Sequence, residues 1–378
     1  MPLTGSPSGS EPMDDLSAAL RHAHPELEVV RKRAEEPVYL VGGAVRDLLL
    51  GHPRADVDLV VEGEAAALAE RLGGAAAEHE RFGTVKVEVE GHELDIATAR
   101  TESYPEPGAL PVVAPAEDVE ADLGRRDFTI NAMAIPLDGV ARLLDPHGGQ
   151  KDLEQGLLRI LHPRSFEDDP TRAIRAARYA ARFGFDLEPE TERLLRRADL
   201  CTVSAERRRA ELARLAAEDS ARRGYALLAQ WGLIELRDGG LELMEGVDEL
   251  LQREHWAEFA PREEALIAAA LGPPGGEELL ASMWAPRPGE GVEVAEKRDP
   301  VELALARAMG ADWIEHYLTA WRKVELEIGG DDLIAAGVPE GPAIGRGLRV
   351  ARRRRLEGEV MGREEELEAA LEAARGVA

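Results

Sequence analysis

The chain has 378 residues, a formal net charge of −27 and a single cysteine, Cys201. One thiol excludes an internal disulfide framework, no run of 18 apolar residues offers a membrane span, and the first residues have no apolar signal core; a soluble, cytoplasmic protein of two or three units is expected. The acidic balance speaks against a polyanionic partner, but it is uneven: Arg159 to Arg223 carries 15 arginines against 12 acidic residues.

Residues 1–13 are rich in Gly, Ser and Pro and are expected to be disordered. Residues 14–34 read as a helix on Leu16, Leu20, Leu27 and Val30. "PVYLVGG" is a short buried strand ending in a glycine turn, and "AVRDLLLG" a helix closed by Gly51. "ADVDLVVEG" reads as a second strand and "EAAALAERLGG" as an alanine-rich helix. "TVKVEVEGHELDIATAR" alternates through Val85, Val87 and Val89, turns at Gly91 and returns through Leu94 and Ile96, the pattern of a hairpin with one buried face. The first 150 residues are thus a small α+β unit with a mostly antiparallel or mixed sheet.

From Asp152 onward strand signals almost vanish. "DPTRAIRAARYAARFGF" predicts a strong helix, with Pro170 in its first turn and Gly184 as its C-terminal cap. "GPPGGEE" (272–278) and "APRPGEGVE" (285–293) read as loops. Boundaries fall near 150 and 205, and no fixed-period repeat is present.

The chemistry is densest in "VGGAVRDLLLGHPRADVDLVV" (41–61). Gly42 and Gly43, between a strand and a helix, let backbone N–H groups approach a phosphate, although such turns are also common as plain structure. Arg46, one turn into the helix, can reach the same anion or lie on a solvated helix face. Asp56 and Asp58 are two apart on a strand and leave one face together; like charges that close call for exposure or for a cation between them. Oxygen-only ligands of this kind suit Mg²⁺, with substrate phosphates as further ligands. Asp95, on the returning strand of the hairpin, is a candidate third carboxylate. Two metal ions there can activate a 3′-hydroxyl and neutralise a departing pyrophosphate; the competing reading is an exposed acidic edge. No P-loop and no Cys/His cluster with zinc spacing occurs.

"DLGRRDFTINAMAI" (122–135) places Arg125, Arg126 and Asp127 before an apolar segment: either arginines for a triphosphate and an acceptor for ribose hydroxyls, or a capping aspartate with surface arginines. "LLDPHGGQKDL" (143–153) reads as a joining turn in which Asp145 and Asp152 cap helices. In "FEDDPTRAIRAARYAARF" (166–183), Arg172, Arg175, Arg178 and Arg182 form a slowly drifting stripe, with Asp169 three residues before Arg172. A solvated charged face is the ordinary explanation of such a stripe. An acceptor and a forked donor together can instead hydrogen-bond the edge of a base.

In order and spacing, "GGAVRDLLLG", "DVDL", "RRDFTINAMA", "DPHGGQKDL" and "DDPTRAIRAARYAARFGF" resemble the class II tRNA nucleotidyltransferase and poly(A) polymerase family over roughly residues 37–200. A weaker similarity lies in "IGGDDLIAAGVPEGPAIGRGLRVARRRRLEGEV". The resemblance implies an α+β fold: an N-terminal polymerase-β-like nucleotidyltransferase head with a mixed sheet (14–150), then an all-α neck with a base-reading helix (151–205) and an all-α body and tail (206–378). It implies Asp56 and Asp58 as Mg²⁺ ligands and catalytic residues, with Asp95 a less direct match. Gly42, Gly43, Arg46, Arg126, Asp127, Asp169, Arg172, Arg175 and Arg178 would form the nucleotide site. Asp168-Asp169 stands where the family usually has Glu-Asp. The activity implied is addition of CMP and AMP from CTP and ATP to the tRNA 3′ end. The full-length connection at 103–124 argues against CC-only addition and leaves A-only addition or poly(A) synthesis as alternatives, ahead of a small-molecule nucleotidyltransferase or a non-catalytic RNA-binding protein. Arginines of "ERRRAELARL" (206–215) and "RGLRVARRRR" (346–355), among them Arg207, Arg208, Arg349, Arg353 and Arg354, are candidate partners of tRNA phosphates, each run also explicable as a solvated helix face.

Overall fold

The computed structural model describes residues 12–52, 57–73, 77–79, 84–272, 275–282 and 286–376. Asp56 therefore lies outside the described residues, as does most of the N-terminal segment expected to be disordered. The chain forms two compact units, Met1–Glu211 with Gln230–Leu233, and Leu212–Ala229 with Ile234–Ala378. The segments expected as head and neck fall together in the first.

The first unit is organised by a six-stranded sheet. Its strands are β1 (Val38–Val41), β2 (Val57–Val61), β3 (Ala77–His79), β4 (Thr84–Val89), β5 (His92–Thr98) and β8 (Ala134–Pro136), in the order β3-β4-β5-β2-β1-β8. The sheet is mixed: β2 and β5 run parallel, and every other neighbouring pair is antiparallel. β1 is almost wholly apolar and mostly buried, as a central strand covered on both faces requires. In β4, buried Val85, Val87 and Val89 alternate with exposed Lys86 and Glu88. Its turn into β5 has positive φ at both Glu90 (53°) and Gly91 (83°), the backbone that fits a tight hairpin to the strand twist.

Helices dock around this sheet. The helix expected over 14–34 is two, α1 (Pro12–Ala23) and α2 (Leu27–Arg33), because Pro25 lacks the donor needed to continue the first. α3 (Gly43–Leu49) follows β1, and α4 (Ala65–Leu72) carries the chain from β2, ending at left-handed Gly73. A separate hairpin, β6 (Arg100–Ser103) with β7 (Val112–Pro115), occupies the connection before α5 (Val119–Gly124), whose N-terminus Asp118 caps. Asp145 caps α6 (Gly149–Gln155), accepting from the N–H groups of Gly149 and Gln150. Asp152 is not a cap: it accepts from Thr129 Oγ1 at 2.7 Å and from Arg159, tying α6 to its neighbours. Gly149 lies so close to the Thr129 carbonyl that a Cβ would overlap backbone. α7 (Ser165–Asp168), α8 (Thr171–Phe183), α9 (Pro189–Leu195) and α10 (Ala205–Ala216) follow; Gly184 closes α8 at φ 75°. Between α6 and α9, Leu157–Leu158 and Asp186–Leu187 form one short parallel pair, a strand remnant where only helix was expected.

The second unit is helical. Residues 285–293, expected as a loop, contain the start of a helix, Pro288–Ala295. Proline suits its first turn, Gly289 lets it approach Arg353, and Gly291 lets it lie on the Trp321 ring. A helix Gly276–Ser282 likewise begins inside 272–278. The last helices, Pro342–Leu356 and Arg363–Arg375, pack around Leu333, Ala351 and Ala370, with Gly347 against the Ala370 carbonyl. Among the described residues no helix is long and apolar enough to cross a membrane.

Candidate active site

β2 alternates buried Val57 and Leu59 with exposed Asp58, and β5 alternates buried Leu94 and Ile96 with half-exposed Asp95. The two strands are parallel with Asp58 and Asp95 as direct register partners, so both carboxylates leave the same face of the sheet. Lys86 is the cross-strand partner of Asp95 on β4, its Nζ 3.3 Å from Asp95 Oδ1. Two adjacent carboxylates repel unless a cation lies near, and Lys86 supplies one beside Asp95. The donor set is oxygen only and open to solvent, which fits a hard divalent ion that retains waters.

The glycine turn lies at the end of β1. Gly42 has φ 69°, its N–H donates to the Met133 carbonyl, and a Cβ there would sit 2.5 Å from Arg126 Nη1. Arg46 Nη2 lies 3.5 Å from the Cβ position of Gly43, so two guanidiniums flank the turn. Arg46 is not on a solvated face: it is 4 % exposed, donates to Asn131 Oδ1 (2.5 Å) and Asp47 Oδ1 (2.8 Å), and stacks over Tyr179 and Phe183. Arg126 donates to Asp122 Oδ2, while its buried Nε has no partner among the described residues. Arg125 shares Asp122 and also reaches Glu102. Burial works to raise the Asp122 carboxyl, but Arg126 and Arg125 outweigh it and hold it below the usual carboxylate range.

Asp127 is buried with both oxygens occupied. Oδ1 accepts from Phe128 N and Asn131 Nδ2, and Oδ2 from Arg175 Nε (2.8 Å) and Nη2 (2.7 Å). Burial again opposes ionisation, yet the Arg175 charge and these bonds keep the group far below its ordinary value; the Arg175 guanidinium is correspondingly raised. The arginine stripe of α8 turns inward throughout. Arg172 donates to Ser165 Oγ (2.6 Å) and the Arg125 carbonyl (2.8 Å). Arg178 lies against Tyr179 and 4.0 Å from Glu211, and Arg182 reaches Asp47. Asp169 Oδ1 accepts from Thr171 N, Thr171 Oγ1 and Arg207 Nη2, and among the described residues no bond joins its side chain to that of Arg172.

Residues 38–159 match the family model described as the poly A polymerase head domain, and residues 184–236 that described as the probable RNA and SrmB-binding site of polymerase A. A CC-adding tRNA nucleotidyltransferase of Deinococcus radiodurans is 35% identical over 370 residues, 94% of this chain and 91% of that protein. The chain belongs to the tRNA nucleotidyltransferase and poly(A) polymerase family. A CCA-adding enzyme of Geobacillus stearothermophilus is 31% identical over 376 residues, covering 87% of this chain and 91% of that protein. An A-adding tRNA nucleotidyltransferase of Halalkalibacterium halodurans is 43% identical over 196 residues, 48% of this chain. The chain spans less than half the length of the A-adding relatives it matches, 46%, 20% and 20%. Among solved structures, an apo CCA-adding enzyme aligns with TM-score 0.77 and 29% identity over 94% of this chain and 98% of that one. A CCA-adding enzyme with ATP aligns with TM-score 0.76 and 27% identity over 96% and 99%. This family of nucleotidyltransferases generally uses divalent metal ions.

Within this member of the family, the arginines read as RNA-binding occupy different settings. Arg208 donates to the Leu200 carbonyl, and Arg207 to Asp169 and the Gly108 carbonyl. In the second unit Arg349 is exposed, Arg353 pairs with Glu357 at 3.2 Å and Arg354 with Glu372 at 2.9 Å. Sequence reasoning passed over Asp47, Asn131, Tyr179 and Phe183, which hold Arg46 and the α8 stripe. Their signals were present but local: Asp47 follows Arg46 directly, Asn131 is four residues after Asp127, and Tyr179 lies one turn beyond Arg175.

Proposed function

We propose that this chain adds CMP and AMP to the 3′ end of tRNA, completing CCA without a nucleic-acid template. The observation that carries this reading is the register of Asp58 and Asp95, side by side on parallel strands near a glycine turn flanked by Arg46 and Arg126. Solved CCA-adding enzymes of this fold are known with tRNA, ATP and CTP, and the relatives cited above that match along most of the chain are CC-adding and CCA-adding enzymes.

In this reading the terminal 3′-oxygen of tRNA attacks the α-phosphorus of CTP or ATP, a new phosphodiester bond forms, and the bond to the β-phosphate breaks to release pyrophosphate. Asp58, with Asp56 and Asp95, would hold Mg²⁺, which supplies charge neutralisation at the reacting oxygens and the leaving group. Gly42, its own N–H held by the Met133 carbonyl, shapes the turn that brings the Gly43 N–H to the triphosphate. Arg126, supported by Asp122, offers it a cation at the same turn. Arg46 braces the turn from within, through Asn131 and the Tyr179 and Phe183 rings. Asp127, expected as an acceptor for the ribose, has its oxygens taken by Phe128 N, Asn131 and Arg175, and serves in this reading to orient Arg175. Asp169 and Arg172 meet the base edge, with Arg178 continuing that wall.

Residues 14–150 serve as the catalytic head, 151–205 as a neck that reads the base and 206–378 as a body and tail that bind tRNA, with Arg349, Arg353 and Arg354 toward its phosphates. Cytoplasmic action goes with this substrate. Addition of A alone is the second reading. The 43% identity of an A-adding relative over 196 residues and the full-length connection at 103–124, which carries the β6–β7 hairpin, favour it. Purified protein incubated with tRNAs ending before the first C, after CC and after CCA, with labelled CTP or ATP, separates the two. CCA addition predicts CMP on the first, AMP on the second and nothing on the third. Incorporation of AMP alone selects the second reading, and incorporation of neither removes both.

A further inference from the structure

Arg207 reads from the sequence as one of a run of RNA-binding arginines, and the structure gives it a different task. It lies in the first turns of α10, beyond the Ser204 hydroxyl that accepts the Arg207 N–H, and its guanidinium spans two segments distant in sequence. Nη2 donates to Asp169 Oδ1 at 3.0 Å; Nη1 donates to the Gly108 carbonyl at 2.7 Å and lies 3.5 Å from that of Ala109. The Gly108 N–H in turn donates to the Asp168 carbonyl at 3.3 Å. Gly108 has φ 71°, and a Cβ there would sit 2.6 Å from Thr202 Oγ1 and 2.7 Å from the Thr202 carbonyl, so this turn docks in one way.

We infer that Arg207 is a positioning residue for base selection, acting through Asp169; this rests on the nucleotidyltransferase reading above. Asp169 Oδ1 receives three donors, Thr171 N (3.1 Å), Thr171 Oγ1 (2.6 Å) and Arg207 Nη2, which fill its acceptor capacity. Oδ2 has no donor among the described residues and is the acceptor edge left for a ligand. The two Thr171 bonds are local and turn with the chain. Arg207 is the long-range partner that fixes the carboxylate plane against the body of the unit. A fixed acceptor at Oδ2 accepts from an exocyclic amino group, as on cytosine or adenine, and opposes a carbonyl oxygen at the same place, as on uracil. In this arrangement Arg207 is held by Asp169 and the Gly108 carbonyl and meets no phosphate.

The test compares wild type, Arg207→Ala, Arg207→Lys and Thr171→Val for kcat/KM with CTP and with UTP on a tRNA lacking CCA. The Michaelis constant for tRNA, its salt dependence and thermal unfolding are measured on the same samples. Positioning predicts that Arg207→Ala lowers the CTP-over-UTP preference about tenfold, the order expected for loss of one charge-assisted hydrogen bond. The tRNA Michaelis constant stays within about twofold, since Arg207 holds no phosphate in this arrangement. Arg207→Lys recovers part of the preference, and Thr171→Val, which removes a different donor from the same oxygen, lowers it less. Should Arg207→Ala unfold, the lysine and valine variants carry the test alone. An unchanged CTP/UTP ratio with a raised tRNA Michaelis constant and a flatter salt dependence overturns the inference and returns Arg207 to the RNA surface. A wild-type chain that transfers neither CMP nor AMP to any tRNA overturns the underlying reading and the inference with it, an outcome visible before any variant is compared.

Discussion

In α8, Arg172, Arg175, Arg178 and Arg182 turn into the first unit, where Ser165, Asp127, Glu211, Asp47 and the faces of Tyr179 and Phe183 receive them. In the helix Pro342–Leu356, Arg353 and Arg354 stay 48% and 33% exposed and pair with Glu357 and Glu372. The same side chain does different work in the two settings. A guanidinium away from water is costly unless its donors are largely placed, and its partners are then fixed as firmly as it is. An exposed pair contributes only about 0–1 kcal/mol, so its glutamate is readily exchanged for another anion, including a phosphate. Burial thus divides arginines that shape a site from arginines free to meet a ligand.

The same division applied to carboxylates gives the largest expected effect. Asp58 is exposed and Asp127 buried, so chemistry should follow the first and stability the second. Asp58→Ala should lower nucleotide transfer on the order of a thousandfold or more, with unfolding free energy changed by less than about 0.5 kcal/mol. A parallel assay of labelled-CTP incorporation and denaturant unfolding checks both halves. Large destabilisation with retained turnover would reverse the assignment.

Asp127→Asn tests the buried side. It leaves Arg175 with only neutral partners inside the unit, the new amide and the Tyr179 hydroxyl, and a loss of about 3–5 kcal/mol is expected. The sign of the pH dependence follows from the depressed Asp127 value. Its stabilisation is complete above the ordinary carboxylate range, near pH 4, and is lost as pH falls below that toward the folded-state value. Unfolding free energies between about pH 5 and pH 2 should therefore fall more steeply in wild type than in Asp127→Asn. Equal slopes would mean that the carboxylate is not held ionised by Arg175.

What could be read from the chain beforehand follows the same physics. β1, β2 and the β4–β5 hairpin were legible because alternation and Gly91 are local signals, and Asp58 and Asp95 stand out against that alternation. The parallel pairing that aligns the two aspartates was not, since it depends on a crossover through α4 and two further strands rather than on any neighbouring residue. The helix Pro288–Ala295 was hidden because its glycines serve close approach to Arg353 and Trp321, yet resemble loop glycines in sequence. Arg46 showed as an arginine near phosphate-binding glycines. Its burial depends on Asn131 and Phe183, 85 and 137 residues further on, which no window on the sequence joins. Arg207 groups in sequence with its arginine neighbours, although its partners lie 38 residues before it, at Asp169, and 99 before it, at Gly108.

Gly42→Ala lies between the extremes. The new methyl would have to adopt φ 69° and displace the Arg126 guanidinium, which is held to Asp122 by one bond and is movable at its tip. A cost of about 1–2 kcal/mol is expected from the backbone. The nucleotide Michaelis constants should rise several-fold as Arg126 leaves the turn. If unfolding shifts and the Michaelis constants do not, Arg126 braces the turn without meeting the triphosphate.

The smallest effect belongs to the exposed arginines. Arg353→Ala with Arg354→Ala removes one exposed pair, to Glu372, and one to Glu357, a 10 % exposed carboxylate that keeps Arg287 at 3.8 Å, so the unfolding free energy should move by no more than about 2 kcal/mol. Each arginine exchanges its glutamate for phosphate only where RNA arrives, and each one replaced by alanine leaves about one counterion unreleased on binding. The Michaelis constant for tRNA should rise a few-fold at moderate salt, and the slope of log affinity against log salt should flatten by about one to two. A stability loss of several kcal/mol with an unaltered slope would show that these pairs clamp the helices Pro342–Leu356 and Arg363–Arg375 together. The tail arginines would then belong with those of α8, and exposure would no longer separate the two kinds.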